Sequence, residues 1–360
     1  MNKLPLVVLI LIFVTLFGCA QQAQVQPFAL QPQPAEVAPP PTNEVPVSAT
    51  EMAATPSKIA FVRSGTSDWD IFTADSDGND IVNITNSPSQ DLWPSWSPDG
   101  TQIAFQSNRG ALGRQSIYVM DANGANVFCL TSPTDTCQFP AWSPDGTKIA
   151  FSSSALAWGT LLDIFTMNTD GTSKSPILQV KRNPAKGTYS QVCPSWFSDS
   201  QRVAYASNGS GLWEIREVTS NNNVNINILG PDTSNSKNYP VRIDGRGLQF
   251  PPSGGDTIQP NTFPALSVSP DGKTIAFDYY NPATYRRDIY ALDTDNNGIR
   301  CLTCEQTANC YFPTWSPDGS RIAFTLESDG KTDIWTVNSD GSNPTLLIKD
   351  GMFPSWQKGE

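Results

Sequence analysis

From residue 57 onward, short apolar segments alternate with turn residues, and the pattern recurs about every 50 residues. Each unit opens with a Pro-x-Trp segment, passes through Ser-Pro-Asp-Gly and continues into Ile-Ala-Phe. Pro presets φ at the second turn position and Gly closes the turn, so the two apolar segments are predicted to be antiparallel strands. The copies are WPSWSPDGTQIAF at 93–105, FPAWSPDGTKIAF at 139–151, CPSWFSDSQRVAY at 193–205, FPALSVSPDGKTIAF at 263–277 and FPTWSPDGSRIAF at 312–324.

Two further strands complete each unit. An Asp-Ile-aromatic segment follows at 70–72, 163–165, 288–290 and 333–335, with Ile117-Tyr118 and Trp213-Glu214-Ile215 as variants. An Asp-Gly or Asn-Gly turn then leads into a short fourth strand, such as residues 127–131. No segment has the pattern of a long amphipathic helix, so each unit predicts a four-stranded antiparallel sheet.

The two ends of the repeat region complement each other. KIAF at 58–61 lacks a preceding inner strand, and FPSW at 353–356 lacks a following turn and second strand. Together they make a sixth unit. A ring buries every unit between two neighbours, whereas a linear stack exposes its end units. The sequence predicts an all-β fold, a six-bladed β-propeller of four-stranded blades, closed by pairing of the C-terminal strand with the first blade. A five-bladed ring would leave the first Ile-Ala-Phe segment without an inner partner.

The order of Trp-Ser-Pro-Asp-Gly, Ile-Ala-Phe, Asp-Ile-Tyr and Asp-Gly-Ser resembles the TolB-like propeller repeat, a WD-like repeat of bacterial envelope proteins. The resemblance covers nearly all of 57–360. It implies a six-bladed ring that serves as a protein-binding platform in the periplasm. TolB itself has an α/β domain before its propeller, and here only a tether precedes the first blade, so we expect a TolB-like protein rather than TolB.

The N-terminal segment has the pattern of an export signal. Lys3 precedes mostly apolar residues 4–17, which are too few for the ~20 that a spanning helix needs. The stretch ends in Leu16-Phe17-Gly18-Cys19, which resembles the lipobox of bacterial lipoproteins, cleaved before a cysteine that is then acylated. An ordinary secretory signal with a chance cysteine is the alternative. Lipidation of Cys19 would anchor the protein to a bacterial membrane, at the periplasmic side of the outer membrane or at the cell surface.

Residues 20–56 contain no Lys or Arg and are rich in Pro and Gln. This composition cannot bury a core and favours an extended chain, so we predict a tether. A proline-rich ligand for a partner domain is the alternative. The predicted organisation is a lipoprotein signal peptide at 1–18, a lipidated cysteine with a disordered tether at 19–56, and a propeller at 57–360.

Composition excludes several kinds of chemistry. The 360 residues include no histidine, which excludes Ser-His-Asp and Cys-His nucleophiles and His-ligated zinc. A net charge of −11 argues against a nucleic-acid partner. Together with the resemblance to the TolB-like repeat, which implies a protein-binding platform, these exclusions lead us to predict a noncatalytic, monomeric module that binds envelope proteins. The alternatives are a glycan-binding protein and a glycosidase that uses paired carboxylates.

The longest spacing between successive inner strands, from Pro194 to Pro264, contains an insertion at about 230–261. In a propeller this connection lies at the same mouth of the channel as the loops between second and third strands, and those loops carry exposed Arg and aromatic residues, which interfaces favour. Each of these residues could instead pack its own loop. The predicted binding face comprises Asp91, Arg109, Arg114, Trp158, Arg242, Arg246, Tyr280, Tyr285, Arg286 and Tyr311. Trp158, Tyr280 and Tyr285 would also suit glycan stacking. The channel mouth is predicted to be ringed by Asp91, Gln138, Gln191, Thr262, Tyr311 and Met352, which make no catalytic set.

Cysteine spacing repeats between two blades. Cys129 and Cys137 occupy the same repeat positions as Cys301 and Cys310, which suggests disulfides 129–137 and 301–310 in an exported protein. Cys193 and Cys304 are left without assigned partners. Cys301-Leu-Thr-Cys304 resembles a redox Cys-x-x-Cys but lacks a thioredoxin-like βαβ setting. A zinc site of Cys301, Cys304 and Cys310 would want a fourth ligand, so no metal site is predicted.

The segment from Asp293 to Gly298 matches the opening of a calcium-binding EF-hand loop. Position twelve of that loop needs a bidentate acid and is Cys304 here. The segment also falls at the turn between third and fourth strands of its unit, and Asp75 to Gly78 resembles it more weakly. Turn chemistry is the preferred explanation, so no cofactor is predicted, with calcium as the alternative.

Overall fold

The computed structural model describes residues 57–64, 68–132, 134–154, 162–177, 190–207, 214–219, 265–281, 286–296 and 298–358, with short strands at 238–239, 242–243 and 246–247. The chain divides into two units, Met1–Met52 and Ala53–Glu360. The predicted signal peptide, Cys19 and the tether lie outside the described residues. All described strands belong to the second unit.

The strands run in repeat order. The first sheet contains β1 (Lys58–Ser64), β2 (Trp69–Asp75) and β3 (Val82–Asn83). The second contains β4 (Asp91–Trp96), β5 (Gln102–Ser107), β6 (Ser116–Asp121) and β7 (Phe128–Cys129). The third contains β8 (Cys137–Trp142), β9 (Lys148–Ser153), β10 (Asp163–Asn168) and β11 (Ser175–Pro176). The fourth contains β12 (Gln191–Trp196), β13 (Arg202–Ser207), β14 (Glu214–Thr219) and β15 (Asn238–Tyr239).

A two-stranded hairpin, β16 (Arg242–Ile243) and β17 (Arg246–Gly247), follows within the insertion. The fifth sheet contains β18 (Leu266–Val268), β19 (Thr274–Asn281), β20 (Arg286–Asp293) and β21 (Ile299–Cys301). The sixth contains β22 (Asn309–Trp315), β23 (Arg321–Ser328), β24 (Lys331–Asn338) and β25 (Thr345–Ile348), and β26 (Met352–Trp356) ends the series. We number the blades 1 to 6 in this order.

The ring closes as predicted. β26 pairs antiparallel with β1, with Ile59 opposite Trp356, and becomes the inner strand of blade 1 in the order β26-β1-β2-β3. The Gln357 side chain accepts a hydrogen bond from the Lys58 N–H at 3.0 Å, and the Gln357 N–H donates to the Lys58 carbonyl at 2.8 Å. The all-β, six-bladed architecture is confirmed. The part of the chain that the structure describes contains no helical segment with the length and apolar character needed to span a bilayer.

The core lies between the blades. The Ile-Ala-Phe strands are apolar at consecutive positions because both faces of each sheet are covered by a neighbour. Phe151, for example, is fully buried in a cluster that joins Ile117 and Val119 of blade 2 to Trp142 and Ile149 of blade 3. Low overall charge follows from this two-sided burial.

Among the described residues, five inner strands contain a bulge at the residue before their proline. Trp93, Phe139, Cys193, Phe312 and Phe353 have φ between 53° and 57°, and the strand register shifts there. The proline that follows has no N–H to leave unpaired. The preceding blade supplies the acceptor for the bulge N–H, which is Gln106 for Phe139 at 3.1 Å, Asp278 for Phe312 at 3.0 Å and Thr325 for Phe353 at 3.1 Å.

One face of the ring, which we call the turn face, carries the Ser-Pro-Asp-Gly turns and the Asp-Gly or Asn-Gly turns. Ser97 donates to Asp99 at 2.6 Å, and the same bond at 2.6 Å recurs from Ser316 to Asp318. The second kind of turn packs against the preceding blade. Gly124, with φ of 87°, lies so close to Ile84 of blade 1 that an added Cβ would overlap the Ile84 carbonyl oxygen. These turns therefore join neighbouring blades as well as reversing the chain.

The two predicted disulfides are not formed. Cys301 is bonded to Cys304, while Cys129, Cys137 and Cys310 are free thiols, as is Cys193. The reason is the packing of the side chains. Cys301 lies opposite Tyr290 and packs against the cluster between blades 4 and 5, whereas Cys310, on the inner strand of blade 6, is buried in the cluster between blades 5 and 6. Cys129 likewise lies opposite Tyr118, while Cys137 is buried between blades 2 and 3.

The Asp293 to Gly298 segment forms the turn between β20 and β21. Asp293 accepts hydrogen bonds from the backbone N–H groups of Asp295 at 2.8 Å and Asn296 at 3.1 Å. These bonds lower the pKa of Asp293. Its carboxylate is thus engaged in holding the turn.

Candidate functional site

The opposite mouth of the channel, which we call the loop face, opens into a cavity of 810 Å³. Its described lining comes from blades 6, 1, 2 and 3. Gln90 and Thr136 belong to connections between blades, while Arg114 and Gln115 belong to the loop between β5 and β6. Both kinds of connection therefore reach the same cavity.

The floor of the cavity is aromatic because the inner-strand bulges direct their side chains into the channel. The Trp93 ring lies 4.7 Å from that of Phe139, 5.0 Å from that of Phe312 and 4.4 Å from that of Phe353. In blade 4 the same position is Cys193, which is buried. Trp93 contacts Phe312 across the channel, and these rings close the floor of the cavity. A ligand therefore enters the cavity from the loop face.

The wall of the cavity is mostly uncharged and polar. Gln90, Gln115, Gln138, Thr136 and Thr332 are among its lining residues. Amide side chains both donate and accept hydrogen bonds, so this wall can match a ligand that presents both kinds of group.

Two charged side chains lie among the described lining residues, Arg114 and Glu327. Arg114 is exposed and donates to the Thr134 carbonyl at 3.0 Å. Glu327 accepts a hydrogen bond from the Tyr311 hydroxyl at 2.9 Å. Burial and this bond raise the pKa of Tyr311. A glycosidase needs two carboxyl groups on either side of its ligand, and the described lining offers one.

A buried ion pair supports the wall between blades 5 and 6. Arg287 donates to Asp278 at 2.5 Å, and both side chains are almost completely buried. Asp278 also accepts the N–H of Phe312, and the Arg287 guanidinium lies 5.7 Å from the centre of the Tyr311 ring. Burial raises the pKa of Asp278, and Arg287 opposes that rise. This pair was not predicted from the sequence. Its signal was the aspartate that follows Ile-Ala-Phe in blade 5, at the position of Gln106 in blade 2 and Thr325 in blade 6.

Asp91 and Arg109, both predicted for the binding face, pair with each other in blade 2. Their side chains are 2.6 Å apart, and Asp91 is fully buried. The Arg109 guanidinium lies over Phe105 and Tyr118, at 5.1 and 5.4 Å from their ring centres. Burial raises the pKa of Asp91, and hydrogen bonding and the charge of Arg109 oppose the rise. This ion pair is thus internal to blade 2.

The other predicted residues fall into three groups. Arg114 and Tyr311 line the cavity, as do Gln138 and Met352 of the predicted ring, while Gln191 is buried. Arg286 is half-buried and donates to the Gln306 carbonyl at 2.5 Å. Outside the described residues, in whole or for their side chains, are Trp158, Arg242, Arg246, Thr262, Tyr280 and Tyr285. Their roles stay predictions.

Comparison with known proteins supports the fold. Residues 47–154 match the family model of the TolB beta propeller domain. The Tol-Pal system protein TolB of Anaeromyxobacter dehalogenans (strain 2CP-C) is 33% identical over 90 residues, which cover 24% of this chain and 20% of that protein. TolB of Anaeromyxobacter sp. (strain K) is 32% identical over 90 residues, with the same coverage of 24% and 20%. The chain thus spans about a fifth of the length of the curated relatives it matches.

Solved structures extend the similarity to most of the chain. TolB from Acinetobacter baumannii aligns with a TM-score of 0.60 and 19% identity, over 84% of this chain and 67% of that one. A putative TolB from Agrobacterium tumefaciens aligns with a TM-score of 0.55 and 17% identity, over 82% and 91%. A chain of a nidogen/laminin complex aligns with a TM-score of 0.58 and 10% identity, over 83% and 98%. At these identities the structural matches show a shared fold, and with the family match they confirm the predicted TolB-like propeller.

Proposed function

We propose that this TolB-like propeller is a noncatalytic module that binds another protein of the bacterial cell envelope through its loop face. A segment of the partner enters the 810 Å³ cavity. The cavity lining carries this proposal, since an aromatic floor beneath a wall of amides and hydroxyls suits apolar side chains and a peptide backbone together. Arg114 stands exposed on the wall, as arginines at protein interfaces often do.

The similarity to Tol-Pal system proteins supports placement in the envelope. We further propose that Cys19 is acylated and that the segment after it tethers the propeller to a membrane. Mass spectrometry of the protein from a lipoprotein-processing host is expected to find an N-terminal diacylglyceryl cysteine at position 19. An unacylated N-terminus at any other residue would refute the anchor and leave the binding proposal standing.

Site-specific photo-crosslinking in intact cells tests the binding proposal. A photo-reactive residue at Arg114, on the cavity wall, is expected to yield a discrete adduct with another protein. The same residue at Ala125, exposed in a turn-face turn, serves as the matched control. Gln138→Trp, which fills the cavity, should abolish the Arg114 adduct without changing the melting temperature. Equal adducts at both positions, or an Arg114 adduct that survives Gln138→Trp, would exclude the cavity as the binding site.

A glycan ligand is the second candidate, because Trp69 and Tyr311 line the cavity beside the glutamines. Aromatic faces with amide donors and acceptors also suit sugars. Calorimetry with soluble cell-wall glycan fragments separates the two: saturable binding that Gln138→Trp abolishes, with no protein adduct at Arg114, would favour the glycan.

A further inference from the structure

The Cys301–Cys304 disulfide lies at the outer edge of blade 5, away from the channel. Cys301 ends β21 and Cys304 stands in the turn that follows, with only Leu302 and Thr303 between them. A disulfide that closes so short a loop restricts the unfolded chain less than a long-range bridge does. Cys304 is exposed, whereas Cys301 is half-buried against the cluster between blades 4 and 5. The sulfur that an external thiolate can reach is therefore Cys304.

A buried carboxyl group faces this disulfide. One carboxylate oxygen of Asp288 and the two sulfur atoms all lie within 4.8 Å of one another. Asp288 is completely buried, and none of the described residues donates a hydrogen bond to its Oδ2 atom. Its Oδ1 atom has one long contact, from the Thr303 hydroxyl at 3.5 Å.

The equivalent aspartate of blade 1, Asp70, accepts hydrogen bonds at both of its carboxylate oxygens. Asp70 accepts from the Asn83 amide at 2.9 Å, the Thr85 hydroxyl at 3.1 Å and the Ser87 N–H at 2.9 Å. Asn83 lies opposite Phe72 just as Cys301 lies opposite Tyr290, so Cys301 stands where blade 1 has the donor to its aspartate. Asp288 of blade 5 therefore has a sulfur atom at the place where Asp70 of blade 1 has an amide donor.

We propose that Cys301–Cys304 is a redox-active disulfide and that Asp288 transfers the proton to and from Cys301 when the bond opens and closes. A thiolate of an external dithiol attacks the Cys304 sulfur, forming a mixed disulfide, and the S–S bond breaks with its electron pair on Cys301. The protonated Asp288 carboxyl group gives its proton to the Cys301 thiolate. The second thiol of the reductant then displaces Cys304, and its proton goes to the Cys304 thiolate. Two electrons have thus passed from the dithiol to the protein, and Asp288 regains its proton from the solvent.

The surroundings of Asp288 suit this role. Burial raises the pKa of Asp288, and the Arg286 guanidinium on the same strand opposes that rise. The Tyr290 hydroxyl lies 3.7 Å from Cys304 Sγ. Cys310, on the adjoining strand of blade 6, has its pKa raised to about 12 by burial and is a neutral thiol at physiological pH. Of these neighbours, Arg286 carries the fixed charge that pulls against a protonated Asp288.

The test follows the reduction of the folded, full-length protein by dithiothreitol, with alkylation and mass spectrometry to read each cysteine. Rates are normalised to the thiolate concentration of the reductant, which removes the reductant's own pH dependence. The normalised rate should fall as pH rises through the pKa of Asp288, because the acid is then ionised. Asp288→Asn should flatten this profile and slow reduction at the acidic end by roughly tenfold or more. Asp70→Asn, the matched change in blade 1, should leave the profile unaltered.

Three results would overturn the proposal. One is a disulfide that millimolar dithiothreitol does not open while the protein remains folded. Another is a flat normalised profile in the wild-type protein, which decides the question even if Asp288→Asn fails to fold. The third is stoichiometric zinc retained by the reduced protein through gel filtration, since Asp288 and the two thiolates would then be metal ligands rather than a proton-transfer group.

Discussion

The two faces of this propeller are built on opposite plans. On the turn face the same contact recurs from blade to blade, such as the hydroxyl-to-aspartate bond at 2.6 Å in both Ser143-Asp145 and Ser269-Asp271. On the loop side, equivalent positions hold different residues: the N–H of the inner-strand bulge is accepted by Gln106, Asp278 or Thr325. Repetition therefore marks the scaffold, and departure from the repeat marks the places where a blade has acquired its own chemistry.

The carboxyl groups of the two regions differ in the same way. On the turn face, hydrogen bonds from serines and backbone N–H groups lower the pKa of Asp99 and lower that of Asp318 to about 2. On the loop side, burial raises the pKa of Asp91 and Asp278. As pH falls, the turn-face groups lose their stabilising contribution, whereas protonation of the loop-side groups relieves the cost of burying charge.

Deletion of residues 350–360 should have the largest effect, because it removes β26, the strand that closes the ring and therefore supports both faces. Without β26, the buried Ile59 and Phe61 of blade 1 lose their inner partner. We expect no cooperative thermal transition, measured by circular dichroism and calorimetry. Deletion of residues 359–360 alone, which leaves β26 intact, is the control. An unchanged melting temperature in the longer deletion would refute ring closure.

Arg287→Met should be the most damaging of the single substitutions, with a loss of about 3–5 kcal/mol in the free energy of unfolding. It leaves Asp278 buried without its cation. The turn-face control is Arg202→Ala, which removes a short ion pair with the solvent-exposed Asp199 and a longer one, at 3.4 Å, with Glu217, and which should cost only about 1 kcal/mol. Chemical denaturation at neutral pH measures both. Equal losses would mean that the two ion pairs do not differ in the way their burial indicates.

Gly124→Ala should destabilise the turn face by about 2–3 kcal/mol. The added Cβ would overlap the Ile84 carbonyl in addition to straining a backbone with φ of 87°. Gly113, in a loop-face loop, has φ of 63° and no atom within 4 Å of an added Cβ, so Gly113→Ala bears the backbone strain alone. We expect a loss of about 1 kcal/mol for Gly113→Ala. Urea denaturation measures the free energy of unfolding of both variants. A larger loss for Gly113→Ala than for Gly124→Ala would contradict the close packing of the turn face.

Asp318→Asn should have the smallest effect, a change in pH dependence. The pKa of Asp318 is lowered to about 2 from an ordinary 3.8, chiefly by the Ser316 hydroxyl and the Ser320 N–H. The contribution of the ionised Asp318 carboxylate to the free energy of unfolding is therefore complete above about pH 4 and is lost as pH falls toward 2. Wild-type protein should lose up to about 1 kcal/mol more than Asp318→Asn across this window, measured by denaturation at each pH. Parallel curves for the two proteins would contradict the lowered pKa.

Much of the fold was predictable because the strands and turns of each blade have clear signals in the local sequence. The Ser-Pro-Asp-Gly turn reverses the chain without help from distant residues, and the unpaired KIAF and FPSW fragments predicted the contact between Ile59 and Trp356. The site was less predictable. Arg114 and Tyr311, both predicted for the binding face, line the cavity, while Asp91 and Arg109 form an ion pair with each other. A single charged residue in a repeat does not disclose whether its partner lies in its own blade or in a ligand.

The strands, the turns, the number of blades and the closure of the ring could all be predicted from the amino-acid sequence, because they depend on short-range turn chemistry and on a repeating apolar pattern. Which side chains meet depends on how the blades pack. The Asp278–Arg287 pair and the approach of Asp288 to Cys301 and Cys304 depend on which face of a strand each residue occupies. The repeated spacing suggested that Cys301 would pair with Cys310, but the two side chains pack toward different neighbours, and only the packing of the blades reveals that.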